Sequence, residues 1–189
     1  MSDTRPDPSS PWVVDTRLLG RRPGTMKTVA TSLVSNHPMG IEVIAVPAGT
    51  KVDLDLRLES VVEGILVSGK AFSVAEGECA RCLIDITRDV EASVRELYAF
   101  PDSTTAQTIE DDEVLILEDD LIDLEPLVRD ELTLQLPLAP LCQPDCPGLC
   151  SVCGERLADL EPDHNHEIVD ARWAALQSQF GSISEVEEK

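Results

Sequence analysis

Between residues 41 and 94 the apolar positions recur at every second residue, a period that restricts the chain to sheet buried on one face and wet on the other. The run "VDLDLRLE" alternates without a break. Val52, Leu54, Leu56 and Leu58 fall on one face, and Asp53, Asp55, Arg57 and Glu59 on the other. Before it, "IEVIAVP" predicts a strand ended by Pro47. After it, "ILVSGKAFSVA" predicts another, and "IDITRDVEASV" alternates again through Ile84, Ile86, Val90, Ala92 and Val94. The apolar residues are mostly Val, Leu, Ile and Ala, and aromatics are only 3% of the chain, which suits sheet packing and leaves little for stacking on bases.

Six cysteines are superimposed on this pattern, four of them within "LCQPDCPGLCSVCGERL", residues 141 to 157. The N-terminal "MSDTRPDPSSPWVV" lacks the apolar core of a secretory signal, and no run approaches the length of a membrane span, so a cytoplasmic, reducing setting is expected. Structural disulfides are disfavoured there, and metal ligation moves ahead. Cys150 and Cys153, followed by Gly154, have the form of a zinc knuckle, while Cys142 and Cys146 offer a wider pair stiffened by Pro144 and Pro147. The leading expectation is one closed zinc site held by Cys142, Cys146, Cys150 and Cys153, which leaves no position for an activated water. A second C-x-x-C, Cys79 and Cys82, falls between two predicted strands at a hairpin tip. It stands as an alternative or second ligand pair, combined with two cysteines of the later cluster. His164 and His166 are substitute ligands with less support, and a redox role for Cys79 and Cys82 is disfavoured because a helix does not follow them.

The remaining organisation follows from local signals. Residues 1–11 are expected to be disordered, and "VVDTRLLGRRPG" predicts an extended segment ending in a turn at Pro23-Gly24. Residues 12–137 form the predicted β-rich domain. Within it, 101–125 reads as a solvated acidic loop interrupted by the short strand candidate "VLIL", with nine carboxylates and no Lys or Arg between residues 110 and 125. A helix is predicted over 124–136, capped by Asp123, with Pro126 in its first turn and Leu124, Leu127, Val128 and Leu132 at helical spacing. Residues 138–180 make the zinc-binding segment and a short C-terminal helix, "DARWAALQSQF", and 181–189 a frayed tail. The fold class expected is α+β: an antiparallel β-rich core, a few short helices and a C-terminal cysteine-rich zinc-binding segment.

In order of features the chain resembles the bacterial YceD family of large-ribosomal-RNA-subunit accumulation proteins. The resemblance spans about residues 12 to 180 and rests on "GECARCL", "IDLEPLVRDELTLQLPLAPLC" and "CPGLCSVCGERL". It implies a role in the synthesis, processing or stability of 23S rRNA, with no catalytic residue to carry over. It also strengthens the split ligand set, Cys79 and Cys82 with Cys142 and Cys146.

A formal net charge of −21 makes a broad electrostatic grip on RNA implausible, because affinity for a phosphate backbone comes largely from Lys and Arg. Weak RNA contact is expected only through Arg17, Arg21 and Arg22. The acidic residues Asp111, Asp112, Asp119 and Asp120 are expected to meet a basic ribosomal protein within a pre-ribosomal large-subunit particle. The function expected is therefore a non-enzymatic, zinc-containing assembly factor with no membrane association. The alternative is a thiol- or metal-dependent enzyme acting directly on RNA.

Overall fold

The computed structural model describes residues 5–108 and 114–166. The expected C-terminal helix, the tail, and Asp111 and Asp112 lie outside the described residues. The chain divides into two compact units, Met1–Cys146 and Pro147–Lys189.

The first unit is built on antiparallel sheet. Its strands are β1 (Val13–Asp15), β2 (Met26–Val34), β3 (Met39–Ile41), β4 (Ile44–Val46), β5 (Lys51–Ser60), β6 (Gly64–Glu78), β7 (Asp85–Ala99), β8 (Leu115–Ile116) and β9 (Leu121–Asp123). Two short helices, α1 (Thr104–Thr108) and α2 (Leu124–Gln135), complete the described elements of this unit. β6 is the central strand. It pairs along its whole length with β7, from Gly64 opposite Ala99 to Glu78 opposite Asp85. Its other edge is shared, first by β5 from Ile65 to Phe72 and then by β4 at Glu76 and Gly77. β2 extends the sheet beyond β5, β3 beyond β4, and β8 adds a parallel pair to β7.

Alternation does what the sequence predicts in β5: Val52, Leu54, Leu56 and Leu58 are buried while Asp53, Asp55 and Arg57 face water. Opposite them β6 presents small residues, with Leu54 beside Ala71 and Leu56 beside Gly69, and Ala71 in turn faces Ala92 of β7. Gly69 adopts φ +147°, and a Cβ there would meet the Asp55 carbonyl oxygen at 2.1 Å, so the close passage of β5 past β6 requires glycine. Helix α2 packs against β7 and β3, burying Leu124, Leu127, Val128 and Leu132. The Asp123 side chain accepts from the Glu125 N–H at its start, as expected of its cap, and the helix ends one residue short of the predicted 136.

Three expectations are corrected. "IEVIAVP" is not one strand: it belongs to a tight hairpin, β3–β4, that turns through Glu42 and Val43 and buries Met39, Ile44 and Val46. β2 was not expected; lying at the outer edge of the sheet, it half-buries Val29 and Leu33 but no residue fully, so its alternation is faint. The acidic stretch is no continuous loop. The expected strand in "VLIL" is present as β8, but α1 precedes it and a two-residue turn follows, in which Asp119 (φ 51°) and Asp120 (φ 60°) both take left-handed backbone, closed by a Leu121 N–H to Glu118 carbonyl bond of 2.9 Å. Such a turn returns the chain at once, and β9 then pairs with β1.

That pairing fixes the N-terminal segment. Trp12 is buried and its Nε1–H donates to the Val34 carbonyl at 3.1 Å, while the Thr16 hydroxyl donates to the Asp120 carbonyl at 2.8 Å. Even part of the stretch expected to be disordered is shaped, since the Ser9 N–H donates to the Asp7 carboxylate at 2.9 Å. Tyr98 is buried beneath the same region, its hydroxyl donating to the Asp123 carbonyl at 3.3 Å. Burial raises its pKa, and the carboxylates of Glu96 and Asp123 add to the effect. A raised folded-state pKa means that Tyr98 contributes stability present below its unfolded value of about 10 and lost as pH rises beyond it. Denaturant unfolding of wild type and Tyr98→Phe from about pH 7 to about pH 11 checks this. The variant should be weaker by about 1 kcal/mol at neutral pH, and its deficit should shrink above about pH 10.

Candidate metal centre

The β6–β7 hairpin ends in a turn over residues 79–84. The Cys79 N–H donates to the Ile84 carbonyl at 2.9 Å, the Leu83 N–H returns to the Cys79 carbonyl at 2.9 Å, and Leu83 takes left-handed backbone (φ 59°). This turn buries Cys79 and Cys82. The chain leaving α2 comes to meet it. The Ala80 N–H donates to the Pro140 carbonyl at 2.8 Å, and Arg81 Nη1 donates to the Cys146 carbonyl at 2.9 Å. Arg81 thus ties the hairpin tip to the loop that carries Cys142 and Cys146. Arg81 is not among the site residues expected from the sequence, although its place inside the C-x-x-C is an available signal.

The four sulfurs converge. Cys79 and Cys146 Sγ are 3.8 Å apart, Cys82 and Cys142 Sγ 3.7 Å apart, and all four lie within 4.8 Å of one another. A disulfide needs about 2.05 Å, far shorter than these separations. A tetrahedron with metal–sulfur bonds of about 2.3 Å has edges of about 3.8 Å, so these spacings suit four thiolates around one ion. The expected local set is therefore divided: the structure gathers Cys142 and Cys146 with Cys79 and Cys82, because the hairpin tip reaches them across the fold. Cys150 and Cys153 are gathered instead with His164 and His166, a second group whose donor atoms also lie within 4.8 Å of one another. Both groups could hold a metal ion. The first unit accordingly extends past the expected boundary at residue 137 to Cys146.

The electrostatics of the first set favour a cation. Burial pushes the Cys79 thiol up, but the backbone N–H groups of Arg81, Cys142 and Cys82, with the Cys82 thiol, outweigh it and bring Cys79 down to about 6. Cys142 goes the other way. Desolvation, followed by Cys146, Cys82 and Cys79, pushes it up to about 12. A negative charge is thus well accommodated at Cys79 and resisted at Cys142, a balance that a divalent ion among the sulfurs would relieve. In the second group, the N–H groups of Cys153 and Val152, followed by the His164 ring, hold Cys150 at about 6 against the effect of burial.

The residues expected to meet partners are placed as follows. Arg17 pairs with Asp15, whose carboxyl is held at about 2 first by that side-chain bond and then by the Arg17 N–H. Arg21 grips Asp102 through two bonds of 2.7 and 2.6 Å, and its guanidinium lies 4.7 Å from the Phe100 ring centroid. Arg22 is exposed beside them in sequence. Asp119 pairs with Arg5, and Asp120 is an exposed turn residue.

Fold and site together define a class: a β-rich protein with antiparallel sheets and cysteine clusters able to hold metal. The chain belongs to the YceD family, matching the description "Large ribosomal RNA subunit accumulation protein YceD" over residues 67–178. It is 48% identical over 177 residues to the uncharacterized protein Rv2926c of Mycobacterium tuberculosis, covering 94% of this chain and 85% of that one. The uncharacterized protein ML1660 of Mycobacterium leprae is 41% identical (88% and 76% covered), and the uncharacterized protein YlbN of Bacillus subtilis is 30% identical (69% and 73% covered). No solved structure matches the chain significantly.

The division of the cysteines is open to direct measurement. Cys79→Ser or Cys82→Ser should abolish metal retention at the first set and make Cys146 reactive towards a thiol reagent, whereas Cys150→Ser should leave that set loaded and protected. Metal analysis with thiol counting reads both. Retention in Cys79→Ser together with loss in Cys150→Ser would restore the local four-cysteine set.

Proposed function

We propose that this chain is a non-enzymatic cytoplasmic factor supporting the synthesis, processing or stability of 23S rRNA during large-subunit assembly. It acts through its acidic surface on a basic ribosomal protein or precursor, and touches RNA weakly or indirectly. Membership of a family named for large ribosomal RNA subunit accumulation carries this reading. The net charge of −21 favours a cationic protein over a polyanion as direct partner. Two of the arginines nearest the N-terminus support the same choice, since Arg17 and Arg21 are already engaged by carboxylates. Among the described residues no helix is long and apolar enough to cross a membrane.

Zinc is the ion assigned to Cys79, Cys82, Cys142 and Cys146. It is a borderline-soft ion that accepts tetrahedral thiolate sets, and a site with four protein ligands offers no position for a reacting water. Its part is then to fasten the hairpin tip to the chain after α2, leaving the chemistry of RNA to other molecules.

Asp119 and Asp120 test the surface without disturbing the fold, because asparagine accepts left-handed backbone as readily as aspartate. With Asp111, Asp112, Asp119 and Asp120 all changed to Asn, association with pre-ribosomal particles should slow and its salt dependence flatten, while metal content stays the same. An unchanged rate would place the partner surface elsewhere, and normal 23S rRNA levels in a deletion strain would remove the ribosomal role altogether.

A further inference from the structure

We propose that Cys150, Cys153, His164 and His166 form a second, independent metal site, so that the full chain binds two ions and the second one orders the segment from Pro147 to His166. The new site lies within the second unit and does not rest on the ribosomal role; the count of two takes the four-thiol set as the first site.

The local backbone is already shaped for it. Cys150 and Cys153 lie on a tight turn in which the Gly154 N–H donates to the Cys150 carbonyl at 2.9 Å and the Cys150 N–H to the Glu155 carbonyl at 2.7 Å. Leu149 and Arg156 pair across its base as an antiparallel bridge. Gly154 takes φ +76°, a conformation that any side chain would strain, and it is what lets the chain reverse directly after the second thiol. Cys153 Sγ lies 3.7 Å from His164 Nε2. A tetrahedral ion with bonds of about 2.3 Å to sulfur and about 2.05 Å to nitrogen separates those two ligands by about 3.6 Å.

Two further observations point to a ligand rather than to chance proximity. His166 Nε2 is buried and has no hydrogen-bond partner among the described residues, a costly position for an imidazole nitrogen in a segment otherwise open to water. The second observation concerns what holds the segment together. From Pro147 to His166 only Gly148 is buried, and Val152 and Leu157 are 51% and 38% exposed. Burial of apolar surface among these residues is far too small to offset the backbone entropy of ordering two turns and a bridge. A structural ion supplies that free energy in small domains of this kind. Two thiolates and two imidazoles fill a tetrahedron, so the site is closed and structural, and it suits zinc or a similar borderline-soft divalent ion. Cys153 is exposed and Cys150 half-buried, whereas three of the four thiols of the first set are buried. The second ion should therefore exchange with a chelator faster than the first.

The test uses the full chain purified with zinc. Native mass spectrometry should count two zinc ions in wild type, one in Cys150→Ser/Cys153→Ser, one in His164→Asn/His166→Asn, and one in Cys79→Ser/Cys82→Ser. The ion retained in the first two variants serves as the internal sign that the protein has folded. A cobalt titration of the wild-type chain needs no variant: saturation at two equivalents, the second with the weaker thiolate charge-transfer band of an S2N2 set, supports the proposal. Saturation at one equivalent, or a second ion that survives both the cysteine and the histidine double substitutions, overturns it.

Discussion

The ladder between β6 and β7 is the constraint on which the rest of the first unit depends. Both strands run fifteen residues and stay in register throughout, so the position of the hairpin tip is set by backbone hydrogen bonds laid down over its whole length. Every other strand in that sheet attaches to it directly or through one neighbour, and α2 packs on β7. A tip held in this way can present two thiols at a fixed place far from the strand's beginning. The loop after α2 then has only to arrive with two more. The small residues on the inner face of β6, Gly69, Ala71 and Ala75, belong to the same design, because they let the larger side chains of β5 share the core with those of α2.

How much of this was legible in the sequence depended on whether one face of an element was fully buried. β5 could be read to the residue, since every second side chain is removed from water and the others are charged. α2 could be read because its cap, its proline and its leucines all agree. β2 could not, for an edge strand half-buries its inner face and leaves a weak pattern. The β3–β4 hairpin was hidden because its turn, Glu42-Val43, carries none of the usual turn residues and sits inside an apolar run. For the cysteines the limit was different in kind. Spacing identifies which thiols can share a turn, but the partner of a pair is chosen by tertiary approach, and Cys82 meets Cys142 across 60 residues of chain.

Charge is distributed with the same economy. Several of the few cations are committed locally: Arg5 to Asp119, Arg17 to Asp15, Arg21 to Asp102, Lys70 to Glu91. Exposed pairs of this kind add little stability. Their larger effect is on the outside field, for each cation spent on a neighbour is unavailable to a distant phosphate, and the surplus carboxylates on the outer sheet face and the β8–β9 turn set the sign that an approaching molecule meets.

A contact that spans sixty residues has one further consequence when an ion occupies it. The bond between the hairpin tip and the loop after α2 closes a large loop reversibly, so the folded state becomes linked to free metal by mass action: an ion at one hundred times its dissociation constant would add about 2.7 kcal/mol, comparable with a covalent cross-link. Unlike a disulfide, however, that contribution follows the supply of the metal. The lifetime of the folded chain, and so its abundance, would rise and fall with the metal status of the cell that makes it.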